Sequence, residues 1–172
     1  MELTDVCSLE TWAALEEEIY KRSGLNPAVY NIHGIRINAN PRWPNRLCPE
    51  IKAIPKGQSF ICATAHMNLA NMAKQSKQPV IEECDAGMVK LVVPIFVNGT
   101  FLGAAGGCGL ILDEGEVDTF LINKITELEE DKIEKLAQSV PSLTMQSAQE
   151  LASFIQERLS EIVSRYQIKQ GK

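Results

Sequence analysis

Four cysteines carry the strongest chemical potential in this sequence: Cys48, Cys62, Cys84 and Cys108. Each falls at the end of a different expected element: a short helix, a long helix, a turn and a Gly-rich strand. Four thiolates brought to one place could hold a [4Fe–4S] or [2Fe–2S] cluster, or a structural Zn²⁺ in Cys₄ geometry. Soft thiolates select those groups over Mg²⁺ or Ca²⁺. The spacings are long and contain no Cys-x-x-Cys pair, so the pattern is not that of a zinc finger. The plain alternative is that free cysteines pack as small buried hydrophobes. A fifth cysteine, Cys7, stands apart from the four and reads as incidental.

His66 lies four residues after Cys62, so the two share a stripe of one helix. It is a candidate axial haem ligand or replacement cluster ligand, against the bland reading of a satisfied, half-buried side chain. A base at that spacing could lower a thiol pKa and activate it as a nucleophile. The sequence supplies neither an exposed, strained position nor an orienting third group, so the chain is not read as an enzyme. His33, next to Gly34, is expected in a solvated turn.

The elements that would position these groups follow from periodicity. Residues 8–22 read as an amphipathic helix, with Ser8 as N-cap, a Trp12, Leu15, Ile19 and Tyr20 stripe, and Ser23-Gly24 as its stop. Residues 28–38 read as a hairpin turning at His33-Gly34. A Pro- and Asn-rich loop leads to a short helix carrying Leu47, Cys48, Ile51 and Ile54. A longer helix spans Ser59–Ser76 with a core stripe of Ile61, Ala65, Leu69 and Met72. Val80–Glu83 and Met88–Val97 read as strands. Asn98-Gly99 is the best hairpin signal in the chain, and Thr100–Leu112 is the partner strand. Glycines within that strand mark a bulge or a close approach of backbone or ligand. Helices follow over Glu114–Thr126, Glu129–Gln138 and Thr144–Gln170, the last with a stripe of Leu151, Phe154, Ile155, Leu159, Ile162, Val163 and Tyr166.

Strands joined by hairpins and followed by helices predict an α+β domain: a PAS-like or GAF-like antiparallel sheet with helices packed on one side and a long C-terminal helix. The 172 residues suit one domain, 1–172, with a core over 24–112 and C-terminal helices over 114–170. A hydrophobic content of 45% with 23% charged residues excludes a disordered chain. A net charge of −5 without a Lys/Arg cluster excludes direct nucleic-acid binding. No apolar run reaches the ~20 residues of a membrane span. The acidic N-terminus lacks the pattern of a signal peptide. Together with an odd cysteine count, this points to the cytoplasm.

From residue 24 to residue 112 the sequence resembles the PocR sensory domain. The resemblance rests on Val29-Tyr30-Asn31-Ile32-His33-Gly34, on Leu47-Cys48-Pro49-Glu50-Ile51, and on Cys62 opening a long helix. It continues through Cys84-Asp85-Ala86-Gly87-Met88, Val92-Val93-Pro94-Ile95 and the closing Gly-rich strand. It implies a PAS-like sensor of small molecules in prokaryotic signal transduction or transcription regulation, with short diols among the ligands. It also implies an output partner: a histidine kinase, a DNA-binding regulator or a cyclic-nucleotide enzyme. Two positions depart from the family pattern. Asp85 stands where the family has His, and Gly107-Cys108-Gly109 replaces a Gly-Gln pair. The candidate ligand-binding residues are therefore Cys48, Cys62, His66, Cys84, Asp85, Gly107 and Cys108. The same four cysteines are the candidate metal ligands if the alternative holds, a redox or gas sensor built on a cluster. The last helix is a candidate homodimer surface.

Overall fold

The computed structural model describes residues 1–171. Its frame is a four-stranded antiparallel sheet of order β1-β4-β3-β2. The strands are β1 (Asn26–Asn31), β2 (Val80–Glu83), β3 (Val89–Val97) and β4 (Thr100–Cys108). Asn98 and Gly99 both take positive φ, 49° and 79°, and make the two-residue turn that joins β3 to β4. The α+β class, with helices flanking an antiparallel sheet and a long C-terminal helix, is the architecture the sequence leads to.

One face of the sheet is covered by α2 (Leu9–Ser23) and α8 (Met145–Lys169). Ser8 caps α2 by accepting the Thr11 N–H, and Gly24 closes it in the left-handed region at φ 74°. Trp12, Leu15 and Ile19 from α2 and Leu151, Ile155, Leu159 and Ile162 from α8 pack on Val29, Leu91, Val93, Ile95 and Ala105. Burial of each such Leu or Ile contributes roughly 1.5–3 kcal/mol. A short helix absent from the sequence reading, α1 (Leu3–Val6), is pinned to this core because Trp12 Nε1 donates to the Leu3 carbonyl at 3.0 Å.

The opposite face is covered too, which corrects the expectation of helices on one side. There α5 (Thr64–Ser76) sets Leu69 and Ala73 on Val92 and Ala104. The cause is visible in β3, where Val89 to Val93 are buried without interruption. A strand buried on consecutive positions needs cover on both faces. A second core lies beside this face. It gathers Leu47 and Ile51 of α3 (Leu47–Ala53), Met88, Ile122 of α6 (Thr119–Thr126) and Ile133 of α7 (Glu130–Ala137).

Several element boundaries differ from the sequence reading. The 28–38 hairpin is only a short stub: Asn31 Oδ1 accepts the His33 and Ile35 N–H groups in its turn, Tyr30 and Arg36 bridge, and the Asn31 and Ile37 N–H groups donate to the Ile35 and Val29 carbonyls. Ile32 and Ile35 stay exposed, so β1 pairs along its length with β4 instead. The helix expected from Ser59 is preceded by α4 (Pro55–Gly57) and begins as a π-helix over Gln58–Ala63. Met72 is 46% exposed, and Ala73 takes its place in the core. Asp113, at a positive φ of 50°, turns the chain with Glu114, and the helix expected from Glu114 starts only at Thr119. Asp118 then caps α6 by accepting the Leu121 N–H. β4 ends at Cys108. The chain continues into β5 (Ile111–Leu112), which pairs in parallel with β6 (Ser142–Leu143) just before the Thr144 cap of α8.

Candidate functional site

A cavity lies where the α5-covered face of the sheet meets the second core. Its floor is the sheet. Asn26 pairs with Cys108, Cys108 pairs with Lys90, and Tyr30 pairs with Ala104. Strand alternation therefore points Asn26, Tyr30, Lys90 and Cys108 to one face. The walls are Cys48, Ile51 and Lys52 of α3, Gln58, Ile61 and Cys62 of the π-helix, Ala65 and His66 of α5, and Cys84, Ala86 and Met88 around the β2–β3 turn. Gly34, Arg36 and Trp43 line it from the loop after β1. The cavity has a free volume of ≈ 90 Å³. One water needs on the order of 10–15 Å³ by that measure, so the cavity has room for a small ligand.

Local sequence explains how the side chains reach it. Asn45 is the clamp behind Cys48. Its Oδ1 accepts the N–H groups of Leu47 (2.8 Å) and Cys48 (2.7 Å), and its Nδ2 donates to the Gly109 carbonyl at 2.6 Å. The start of α3 is thereby tied to the end of β4. Gly109 permits this contact: at φ 104°, a Cβ there would sit 2.6 Å from the Pro44 ring. Cys84 opens the turn into β3, with its N–H donating to Met88 and its carbonyl accepting from Gly87. The π-helix carries Gln58, Ile61 and Cys62 toward the cavity, and such wide turns are frequent at functional sites.

Among the charged side chains of the described residues, only cations line the pocket: Arg36, Lys52 and Lys90. Burial pushes the Cys48 and Cys84 thiols well up and the Cys62 thiol up to about 11. Burial, with Lys90, Arg36 and Lys52 nearby, pushes His66 down to about 3, so its imidazole is neutral. The His66 ring lies 3.8 Å from the Tyr30 ring, centroid to centroid, and its Nδ1 has no hydrogen-bond partner. Arg36 Nε and Gln58 Oε1 are also buried without partners.

Not every candidate residue from the sequence comes here. Cys48, Cys62, His66, Cys84 and Cys108 all line the cavity. Asp85 does not: it is exposed on the outside of its turn. Gly107 does not either. It alternates with Cys108 and faces the other side of the sheet, where a Cβ would meet Leu25 at 2.8 Å. Among the described residues no three His, Cys, Asp or Glu side chains converge on a point fit for a metal ion. A tetrahedral zinc needs four ligand atoms about 2.3 Å from one centre. The thiols are thus neighbours around a space, without an assembled ion site. Cys62 and His66 share the wall, yet a protonated thiol beside a neutral imidazole is the opposite of an activated thiolate pair. His33 is exposed, and Cys7 packs against the α2–α8 core, away from the cavity.

Lys90, Tyr30, Arg36 and Asn45 escaped the sequence reading. Lys90 had a legible signal, a single charge inside the otherwise apolar run Met88–Val97. Asn45, two residues before a helix, had the signature of a side chain bonding local backbone.

A cavity walled by a sheet face and several helices makes this a small α+β domain with a pocket beside its sheet. The family model described as the sensory domain found in PocR matches residues 5–166, nearly the whole chain. The chain belongs to that family. Neither the curated proteins nor the solved structures yield a match. No helix among the described residues is long and apolar enough to cross a membrane.

Proposed function

We propose that the cavity is the signal-binding site, and that the chain is a non-catalytic sensor of a small molecule in prokaryotic signal transduction or transcription regulation. The observation that carries this reading is the cavity itself: residues with unpartnered polar atoms and apolar side chains from several distant segments line one hollow. Sites of that composition are the usual places for small ligands. Ligand binding shifts an existing equilibrium toward the state that holds it better. The path outward is short. Cys108 and Gly109 line the cavity, β5 follows, and β5 pairs with β6 at the start of α8. We assign α8 as the helix that reports to an output partner, a kinase or DNA-binding regulator, or to a second copy of the chain. Thermal denaturation against short alcohols, diols and organic acids tests the reading. A folded protein stabilised by none of them counts heavily against it.

The four thiols around one cavity favour a second reading, a redox or gas sensor holding an iron–sulfur cluster through Cys48, Cys62, Cys84 and Cys108. A multi-iron body spans a space that no single ion bridges. Anaerobic purification, a visible spectrum and iron and sulfide assays separate the two. A colourless, iron-free protein after anaerobic reconstitution removes the cluster.

A further inference from the structure

The feature of the cavity that its shape leaves unexplained is a buried ammonium. Lys90 sits in the second strand from the sheet edge, is only 6% exposed, and lines the cavity. It takes part in none of the ion pairs among the described residues. Its Nζ lies 5.5 Å from the Tyr30 ring centroid, and the Arg36 guanidinium also lies 5.5 Å from it. Two cations and the unpartnered His66 Nδ1 therefore gather around one aromatic ring and one cavity. Charges removed from water in this way are kept only where something of opposite sign compensates them. Asp85 is exposed and away from the cavity. Glu16, the carboxylate that senses Arg36, is engaged by the Val29 N–H, and burial pushes it toward its neutral acid. For Lys90, burial works against the charged form, while Tyr30 and the neighbouring cysteines in their anionic forms would hold it charged. No Asp or Glu of the described residues lines the cavity, so no carboxylate of the chain compensates the ammonium there.

Resting on the cavity as the signal site, we infer that the missing charge belongs to the ligand, a small carboxylate whose oxygens meet Lys90 with Arg36 and His66 beside it. The apolar walls, Ile51, Ile61 and Met88, fit a short hydrocarbon body. A free phosphate would set its remaining oxygens against those walls unpaired. A neutral diol would leave the ammonium as it is.

The test uses the full chain, with thermal denaturation and calorimetry against acetate, propionate, butyrate, lactate and benzoate. Each acid is matched by its amide, and 1,2-propanediol is included. At least one carboxylate is expected to raise the midpoint with the logarithm of its concentration, while its amide does not. Lys90→Met should weaken that carboxylate by ~100-fold or more, the usual scale when one partner of a buried ion pair is removed. If an amide or the diol stabilises the protein and no carboxylate does, the inference is overturned while the cavity remains the sensing site. Stabilisation that survives unchanged in Lys90→Met overturns it equally. If no compound binds, both readings fall. A protein that carries an iron–sulfur chromophore after anaerobic purification overturns it by another route, since the cluster's thiolates then supply the negative charge. Should Lys90→Met not fold, the acid–amide comparison on the unaltered protein decides alone.

Discussion

Replacing Asn45 with Ala should cost far more than a typical loop substitution. Asn45 is buried; besides the Nδ2 contacts to the Cys48 and Met88 sulfurs, its side chain makes three hydrogen bonds to backbone groups, with the Leu47 and Cys48 N–H groups and the Gly109 carbonyl, at 2.8, 2.7 and 2.6 Å. Each is worth about 1 kcal/mol net, and Asn45→Ala removes all three while leaving buried partners unmatched, so the loss is ~3 kcal/mol. Domains of this size have a total stability on the order of 5–15 kcal/mol. At about 2–4 °C per kcal/mol, the melting midpoint should fall by ~6–12 °C. Urea denaturation followed by circular dichroism measures the free energy, and alkylation of Cys48 followed by mass spectrometry reports whether the start of α3 has come loose. Asn45→Asp sharpens the test. It keeps both acceptor roles but turns the donor to Gly109 into a repelling carboxylate. Its defect should therefore ease as pH falls and the acid takes up a proton. A loss for Asn45→Ala below about 1 kcal/mol, with Cys48 still unreactive, would refute the clamp.

Native Cys48, Cys62 and Cys84 should resist iodoacetamide at neutral pH, because burial holds the thiols protonated. Labelling of Cys62 should accelerate only as pH approaches about 11, and fast native labelling at pH 7 contradicts this. His66 titrates near 3 in the folded protein and near 6.5 unfolded, so the unfolded chain binds the extra proton between those values. Stability should then drop as pH is lowered through that window, by at most ~1.4 kcal/mol per pH unit from this group. His66→Phe should flatten the slope in urea titrations at pH 4 to 7. The bidentate contact of Arg158 on α8 with Glu18 on α2 is partly exposed, so Arg158→Ala should cost only about 0.5–1 kcal/mol, and less in high salt. Trp12→Phe should cost about 1 kcal/mol by removing the bond to Leu3, and should speed hydrogen exchange in α1.

Elements announced by local chemistry were legible in the sequence. Ser8 and Gly24 bracket α2, Asn98-Gly99 joins β3 to β4, and the apolar stripe of α8 is buried as its periodicity requires. What failed was set by distant partners. The His33-Gly34 turn is real, but β1 finds β4, more than 70 residues away, a better partner than the exposed Ile35 segment. Gly107 and Cys108 looked equivalent in a Gly-rich run, and only the register of β4 tells which one faces the cavity. The gathering of Cys48, Cys62, Cys84 and Cys108 around one space was legible through family resemblance more than through spacing. Lys90 was overlooked because Met88–Val97 reads as an apolar strand, within which nothing local tells that its one charge is buried at a cavity.

The setting of the small core beside the cavity has a consequence for how a signal would be felt. The α2–α8 core is broad and grips one face of the sheet, while the cluster of Leu47, Ile51, Met88, Ile122 and Ile133 is small, and the cavity lies along the boundary between that cluster and the opposite, α5-covered face. A hollow at such a boundary leaves both sides short of contact atoms, so the smaller body is the first to loosen in the empty protein. A guest that fills the hollow acts as mortar, quieting α3, α6 and α7 together. A change in stiffness, with little displacement of the mean positions, is then enough to carry the message.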